Sequence, residues 1–420
     1  MTAAAASGPS LRDFLDNAGA VARAPALPAD PRPRRFHRSM PGYAPSALAD
    51  APGAAERLGL ERLVVKMEVQ RFGLPSFKIL GASWAVCRAL SARAGRAEPA
   101  PTFDELVRLV HGLPDGLTLV AATDGNHGRA VARMARLLGL HARILVPEHT
   151  VAARIDAIAG EGADVEVVRG SYDDAVAVSA AAADERRIVI SDTSWPGYED
   201  VPGWVADGYA TIFEELAEQL PAAPALVAVQ IGVGALASAA VRALAAARRV
   251  LDGIEPDGAA SELACPRRVL VGVEPDDAAC ALACPRRVLV GVEPHDAACV
   301  LAAIRAGKPV LVPGPHRSIM AGLSCGLASQ RALTDMARGI AAFCAIDDRA
   351  ATAAVRLLLA DGLTCGETGA SGVAGLLALR ERWPAGTWER LGLEARPAAL
   401  AICTEGPTDP ESFARITGAG

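Results

Sequence analysis

The chain has 420 residues, 51% of them hydrophobic, and a net charge of −6. That length holds a large core spread over two to three domain-sized units. The acidic balance, with no long basic run, excludes a nucleic-acid-binding surface, and no apolar run is long enough to span a bilayer.

Residues 1–35 are rich in Ala, Pro and Arg and read as an N-terminal arm. Within it, Asp13 and Asp16 interrupt any signal-peptide core, and PRPRRFHR (31–38) reads as a short, Pro-broken, solvated segment. RLVVKMEV (62–69) predicts a strand and FKILGASWAVCRALSARA (77–94) a helix. TLVAAT (118–123) predicts a buried strand, and HGRAVARMARLLG (127–139) a helix ending at Gly139. Strands follow at 142–147, 163–168 and 187–192, with helices near 150–160 and at 171–185. ALVAVQIG (225–232) predicts an apolar strand running into a glycine-rich turn and an Ala-rich helix. Apolar strands alternating with helices predict α/β layers with mostly parallel sheets. The expected division is a large domain from 36–85 and 193–420, with residues 86–192 inserted as a smaller α/β domain. Nine cysteines in so long a chain have no secreted framework and predict a reducing, cytoplasmic setting.

One segment departs from this rhythm. ACPRRVLVGVEPDDAACAL (264–282) is followed directly by ACPRRVLVGVEPHDAACVL (283–301), identical at 17 of 19 positions, and a looser copy precedes them at 248–263. Each unit reads as strand, Glu-Pro turn and short helix. Three uncapped copies inside an α/β chain make a poor solenoid, so 248–301 reads as a local duplication in the large domain. One copy would serve the fold and the others form an insertion. Cys265, Cys280, Cys284 and Cys299 come from this repetition, which explains them without a metal site.

Four short stretches carry chemistry. Only three lysines occur among 42 Lys and Arg: Lys66, Lys78 and Lys308. Lys78 in PSFKILGAS (75–83) is flanked by Phe77, Ile79 and Leu80, and burial among apolar groups lowers an amine pKa and makes it a nucleophile; arginine cannot do this. As a bland alternative it is a surface lysine at a helix start. ATDGNHGRA (122–130) places Asp124 and Asn126 at the carboxyl end of a parallel strand and the start of a helix, a ligand and anion position; turn chemistry alone also explains it. His127 helps shape that turn. QIGVGALAS (230–238) is strand, Gly-X-Gly, helix. It suits one phosphate better than a dinucleotide, because the third glycine is missing. ICTEGPTDP (402–410) is a short apolar strand ending in polar residues.

Together these stretches resemble the fold-type II, tryptophan synthase β-subunit-like enzymes that use pyridoxal 5′-phosphate (PLP), and within them the diaminopropionate ammonia-lyase family. FHRSMPGYAPSAL (36–48), RFGLPSFKILG (71–81), ATDGNHGRAVA (122–132), SDTSWPGYEDVP (191–202), GYATIFEE (208–215), IMAGLSCG (319–326), GETGASGVAGL (366–376) and CTEGPTDP (403–410) carry the resemblance, in the family's order. It implies two three-layer α/β/α domains, a homodimer, and conversion of 2,3-diaminopropionate to pyruvate and ammonia. Lys78 would hold PLP and later act as base. Asn126 would bond the phenolic oxygen. Gly232, Val233, Gly234, Ala235 and Leu236 would cradle the phosphate, and Thr404 would meet the pyridine nitrogen. Asp124 would take the Cα proton from the opposite face, so that both enantiomers react. Asp192 would bind the substrate's second ammonium or assist Asp124.

Two departures stand out. The family shows Lys-Asp-Glu-Ser before Arg-Phe-Gly, and here Met67 and Val69 replace the second and fourth residues. The duplication also supplies more than one version of a core strand, with Glu274 and Glu293 as equivalent candidates to approach the cofactor ring. Extra copies that loop out cost little to close; a wrong copy in the sheet would shift its register. A serine or threonine dehydratase, a catalytically silent member of the fold, and a nucleotide-binding regulator are the competing readings.

Overall fold

The computed structural model describes residues 11–17, 30–123, 125–251 and 287–418, with side chains in the Ala235–Leu251 helix described as far as residue 245. Among these, eleven strands build two sheets: β1 (Leu11–Asp16), β2 (Ala47–Asp50), β3 (Arg62–Met67), β4 (Thr118–Ala122), β5 (His141–Pro147), β6 (Asp164–Val168), β7 (Arg187–Val189), β8 (Leu226–Gln230), β9 (Val288–Pro294), β10 (Ala342–Ile346) and β11 (Ala398–Cys403). The larger sheet has the order β1-β10-β9-β8-β11-β3-β2, and the smaller β6-β5-β4-β7. Only the edge strands β1 and β2 run antiparallel to their neighbours. Every other pairing is parallel. AFCAI and LVAVQ, the latter apolar up to its closing Gln230, form inner strands, and all their residues are buried. Helices covering both faces of a parallel sheet demand that pattern.

The strands expected at 62–69, 118–123, 142–147, 163–168, 187–192 and 225–232 all form, as β3 to β8. The N-terminal arm enters the larger sheet, where β1 pairs with β10. PRPRRFHR is not a solvated segment. Arg32–Ser39 is a helix with Pro33 in its first turn, and Phe36 and His37 are fully buried. The prolines start this helix rather than break it, because the first-turn N–H groups have no partner to lose. Arg34 is buried against Glu218. Burial, with Arg71 nearby, pulls the His37 pKa down to about 3.

The copy of the repeat that enters the sheet is the last one. Val288–Pro294 lies between β8 and β10, with Val290 opposite Ala228 and Ala342. The first copy's residues 250 and 251 end the Ala235–Leu251 helix, and the second copy lies outside the described residues. Glu293 does not reach toward the cleft. It accepts the backbone N–H groups of Val300 and Leu301 at 2.8 Å and caps the Cys299–Ala306 helix. Its burial raises its pKa to about 8.

The helix that opens on Lys78 (Lys78–Arg93) packs on Asp200–Gln219 so closely that glycine is required at the crossing. A Cβ on Gly208 would come within 2.4 Å of the Leu80 carbonyl oxygen. This contact sets the height of the Lys78 backbone relative to both sheets.

Candidate active site

The carboxyl ends of β4, β7, β8 and β11 converge on one cleft, the place where open parallel sheets bind ligands. Lys78, Asn126, Asp192, Gly232–Leu236 and Thr404 all line it. Asp124 lies outside the described residues.

Lys78 follows an extended loop that is zipped to the segment after β11. Phe77 N–H donates to Thr404 O at 3.3 Å, and Gly406 N–H donates to Pro75 O at 2.9 Å. The lysine and Thr404 are therefore fixed relative to each other through backbone. The amine is not in the purely apolar slot expected from its neighbours in sequence. Lys78 Nζ donates to Asp192 Oδ2 at 2.9 Å and stands 5.6 Å from the Phe77 ring centroid. Asp192 lies beyond the end of β7, 5% exposed, and also accepts from Tyr172 OH at 3.0 Å. Burial opposes its ionisation, but the Lys78 charge, His127 and the two hydrogen bonds outweigh it and hold the carboxyl well below the usual range. His127 is fixed by its Nε2 contact with Ile190 O at 2.8 Å.

Asn126 is the first residue of the Asn126–Leu138 helix, and its Nδ2 donates to Glu405. Across the cleft, β8 ends at Gln230 and turns through Gly232 and Gly234 into the Ala235–Leu251 helix. Gly234 has φ +105°, and a Cβ there would lie 2.4 Å from Met336 Cε. Backbone N–H groups at a helix N-terminus, with no side chain in front of them, form an anion cradle. Thr404 is 2% exposed, and its Oγ1 accepts from Gln230 Nε2 at 2.7 Å.

Gln230, Tyr172 and Glu405 complete the site and were not singled out from the sequence. The only local signal for Gln230 is a polar residue closing an otherwise apolar strand. A buried ionic cluster lies outside the lining of the cleft. Lys66 and Arg71 meet Glu68 and Glu215, all at 1% side-chain exposure or less. The cluster also holds Tyr43 and Ser46. Beside Thr404, Cys403 forms a disulfide with Cys365, so the cysteines are not all thiols. The bond joins the end of β11 to the 366–369 loop that packs on Glu405 and Gly406.

The model of the pyridoxal-phosphate dependent enzyme family matches residues 40–287 and again 278–388. The chain belongs to that family. The two matched stretches overlap within the duplication, where this chain holds more copies of the strand than the family pattern spans. The diaminopropionate ammonia-lyase of Escherichia coli (strain K12) is 30% identical over 398 residues, covering 92% of this chain and 90% of that protein. A crystal structure of the Escherichia coli diaminopropionate ammonia-lyase in complex with D-serine superposes with a TM-score of 0.79 at 27% identity, over 99% of both chains. An L-threonine dehydratase of Mycobacterium leprae is 38% identical, but over only 34% of this chain. The fold is that of the fold-type II PLP enzymes, and the residues of the cleft fit the cofactor. The glycine cradle, a lysine amine, a hydroxyl and an amide line the same cleft.

Proposed function

We propose that this protein is a PLP-dependent ammonia-lyase that converts 2,3-diaminopropionate and water to pyruvate and two molecules of ammonia. The observation that carries the reading is the Lys78–Asp192 pair at 2.9 Å in the same cleft as the Gly232–Leu236 cradle and Thr404.

In this reading the cradle binds the phosphate, Asn126 bonds the phenolic oxygen and Thr404 the pyridine nitrogen. Lys78 holds the cofactor through its amine. Bound there, PLP supplies the electron sink that accepts the electron pair left when the substrate Cα loses its proton. With its amine released, Lys78 would take that proton on one face. Its ammonium form then lies where it can protonate the departing β-amine. Asp124 takes the Cα proton on the other face. When Lys78 is engaged, Asp192 is released from its hydrogen bond with that amine, and its carboxylate then offers a charge-assisted hydrogen bond to the substrate's second ammonium. Tyr172 holds that carboxylate in place. The buried thiols of Cys87, Cys299 and Cys344 suit a cytoplasmic enzyme, and the Cys365–Cys403 bond, also buried, is shielded from thiol exchange there. The same reading takes the enzyme as a homodimer.

The test is pyruvate formation by PLP-loaded protein from D- and L-2,3-diaminopropionate, with D- and L-serine and L-threonine beside them. Pyruvate from the diamine, abolished in Lys78→Ala, is expected. Turnover confined to serine or threonine would overturn the reading in favour of a dehydratase.

A further inference from the structure

Gln230 closes β8 on the cleft wall and is 3% exposed. Its Nε2 sits among four acceptors: Thr404 Oγ1 at 2.7 Å, Ile402 O at 3.0 Å, Thr368 O at 3.1 Å and Gly369 O at 3.3 Å. Three of these are backbone carbonyls, which have no hydrogen to give. The amide must therefore present its nitrogen there, because the flipped amide would set an oxygen against three others. Consistent with that orientation, Oε1 points away and has no hydrogen-bond partner among the described residues.

The consequence falls on Thr404. An amide nitrogen donates and cannot accept, so the shortest of the four contacts has Thr404 Oγ1 as acceptor. The hydroxyl proton is then excluded from the Gln230 side. Thr404 lines the cleft, and its backbone carbonyl is occupied by Phe77 N–H.

We propose that Gln230 is a positioning residue that locks the Thr404 hydroxyl as a hydrogen-bond donor toward the cofactor's pyridine nitrogen. The proposal rests on the reading that the cleft holds PLP. A ring nitrogen that accepts a hydrogen bond stays unprotonated, and the ring is then a weaker electron sink. That restrains proton exchange on the cofactor and favours expulsion of a β-substituent. Without the amide, the carbonyls of Ile402, Thr368 and Gly369 lose their donor and compete for the Thr404 proton. A hydroxyl turned toward them offers the ring a lone pair, which stabilises the protonated nitrogen.

The experiment reconstitutes the full chain with PLP carrying ¹⁵N in the ring and reads the ring-nitrogen shift by solid-state NMR. Wild type is expected at the position of a hydrogen-bonded, unprotonated pyridine. Gln230→Met, which keeps bulk and removes the donor, is expected to move the signal toward the protonated position. Gln230→Met combined with Thr404→Val is expected to coincide with Thr404→Val alone, because Gln230 acts through that hydroxyl. A Gln230→Met holoenzyme with the wild-type shift, or effects of the two substitutions that simply add, would overturn the proposal. Neutron diffraction from the deuterated wild-type holoenzyme needs no variant to fold. A hydroxyl deuteron bonded to Thr404 Oγ1 and aimed at Gln230 refutes the proposal; a deuteron on Gln230 Nε2 along that line, with the hydroxyl deuteron directed into the cleft, supports it. Wild type that takes up no PLP at all would instead sink the cofactor reading on which the proposal stands.

Discussion

Replacing Glu215 by glutamine removes one of two carboxylates from the buried cluster of Lys66, Glu68, Arg71 and Glu215. Five donors converge on it. Tyr43 OH, Lys66 Nζ and two nitrogens of Arg71 stand at 2.8 Å, and Ser46 N–H at 3.2 Å. Burial pushes the Glu215 pKa up, yet the Arg71 and Lys66 contacts reverse this and bring it from an ordinary 4.5 to about 2. A depression of that size amounts to about 3 kcal/mol of stability. Lys66 points the other way, since burial lowers its pKa although Glu215 opposes the change. Breaking a buried ion pair by removing one partner costs about 3–5 kcal/mol, in agreement. For 420 residues, at about 2.1 cal/mol/K of unfolding entropy each, that lowers Tm by about 3–6 °C at pH 7. Because the folded-state pKa is depressed, this stability is fully present above pH 4.5 and is lost as pH falls from there toward 2. The variant should therefore also show a shallower acid limb. Scanning calorimetry of wild type and Glu215→Gln from pH 7 to 3 reads both effects. Glu218→Gln serves as control, because its pair with Arg34 is half exposed and is worth about 1 kcal/mol or less. A Glu215→Gln melt within about 1 °C of wild type, or an unchanged acid limb, would refute the reasoning.

Asp192→Asn keeps the shape of the site but removes the charge facing Lys78, so kcat should fall by about 10²–10⁴ while PLP content, read by absorbance, is retained. Gly234→Ala places a methyl group against Met336 at a positive φ; PLP affinity by fluorescence titration should weaken at least about tenfold, and Gly232→Ala, whose nearest neighbour is 3.3 Å away, should weaken it less. Deleting residues 264–282 removes one copy of the repeat but leaves β9 intact, so Tm and kcat should stay within about 2 °C and about twofold of wild type. Cys365→Ser with Cys403→Ser opens a link across 38 residues, worth about 4 kcal/mol by chain entropy; a denaturant melt should register most of that loss, and the intact chain should lose it on reduction.

What the sequence revealed and what it hid follow one division. Strands such as 118–123 and 225–232 are continuous apolar runs, and the Lys78 and Gly-X-Gly motifs are local patterns, so both were readable in a short window. The cluster was not. Lys66 and Glu215 are 149 residues apart, and each alone is an ordinary charged residue. Gln230 and Thr404 are separated by 174 positions, and nothing near either shows that one orients the other. The disulfide hid for the same reason. The 31–38 segment failed differently, since proline in a first helical turn looks in sequence like proline breaking a helix. Phe72, at φ +52°, belongs with the long-range cases. Arg71 is pinned by both carboxylates and by the Ala44 carbonyl, and this anchoring offsets a left-handed turn that costs on the order of 1 kcal/mol.

The duplication poses a sharper question: why the last of three copies forms β9, when the strand VLVGVEP is identical in the last two. The sequence around each copy decides. The first copy carries Asp252 where β9 has Val290, a position with no solvent exposure. It also carries Glu262 where the Cys299–Ala306 helix has buried Val300. Two unpaired carboxylates at such positions cost several kcal/mol or more. The second copy matches the strand but not what must follow it. Counting on from its Glu-Pro turn, Cys284 falls at the position of buried Ala303 and Pro285 at that of Ile304. A proline at the sixth residue of that helix removes a hydrogen bond and clashes with the preceding turn, about 3 kcal/mol or more. The helix it would break is the one that Glu293 caps. Only the third copy runs from an apolar strand into an uninterrupted helix. Register in this sheet is therefore set by the continuation of the strand rather than by the strand itself.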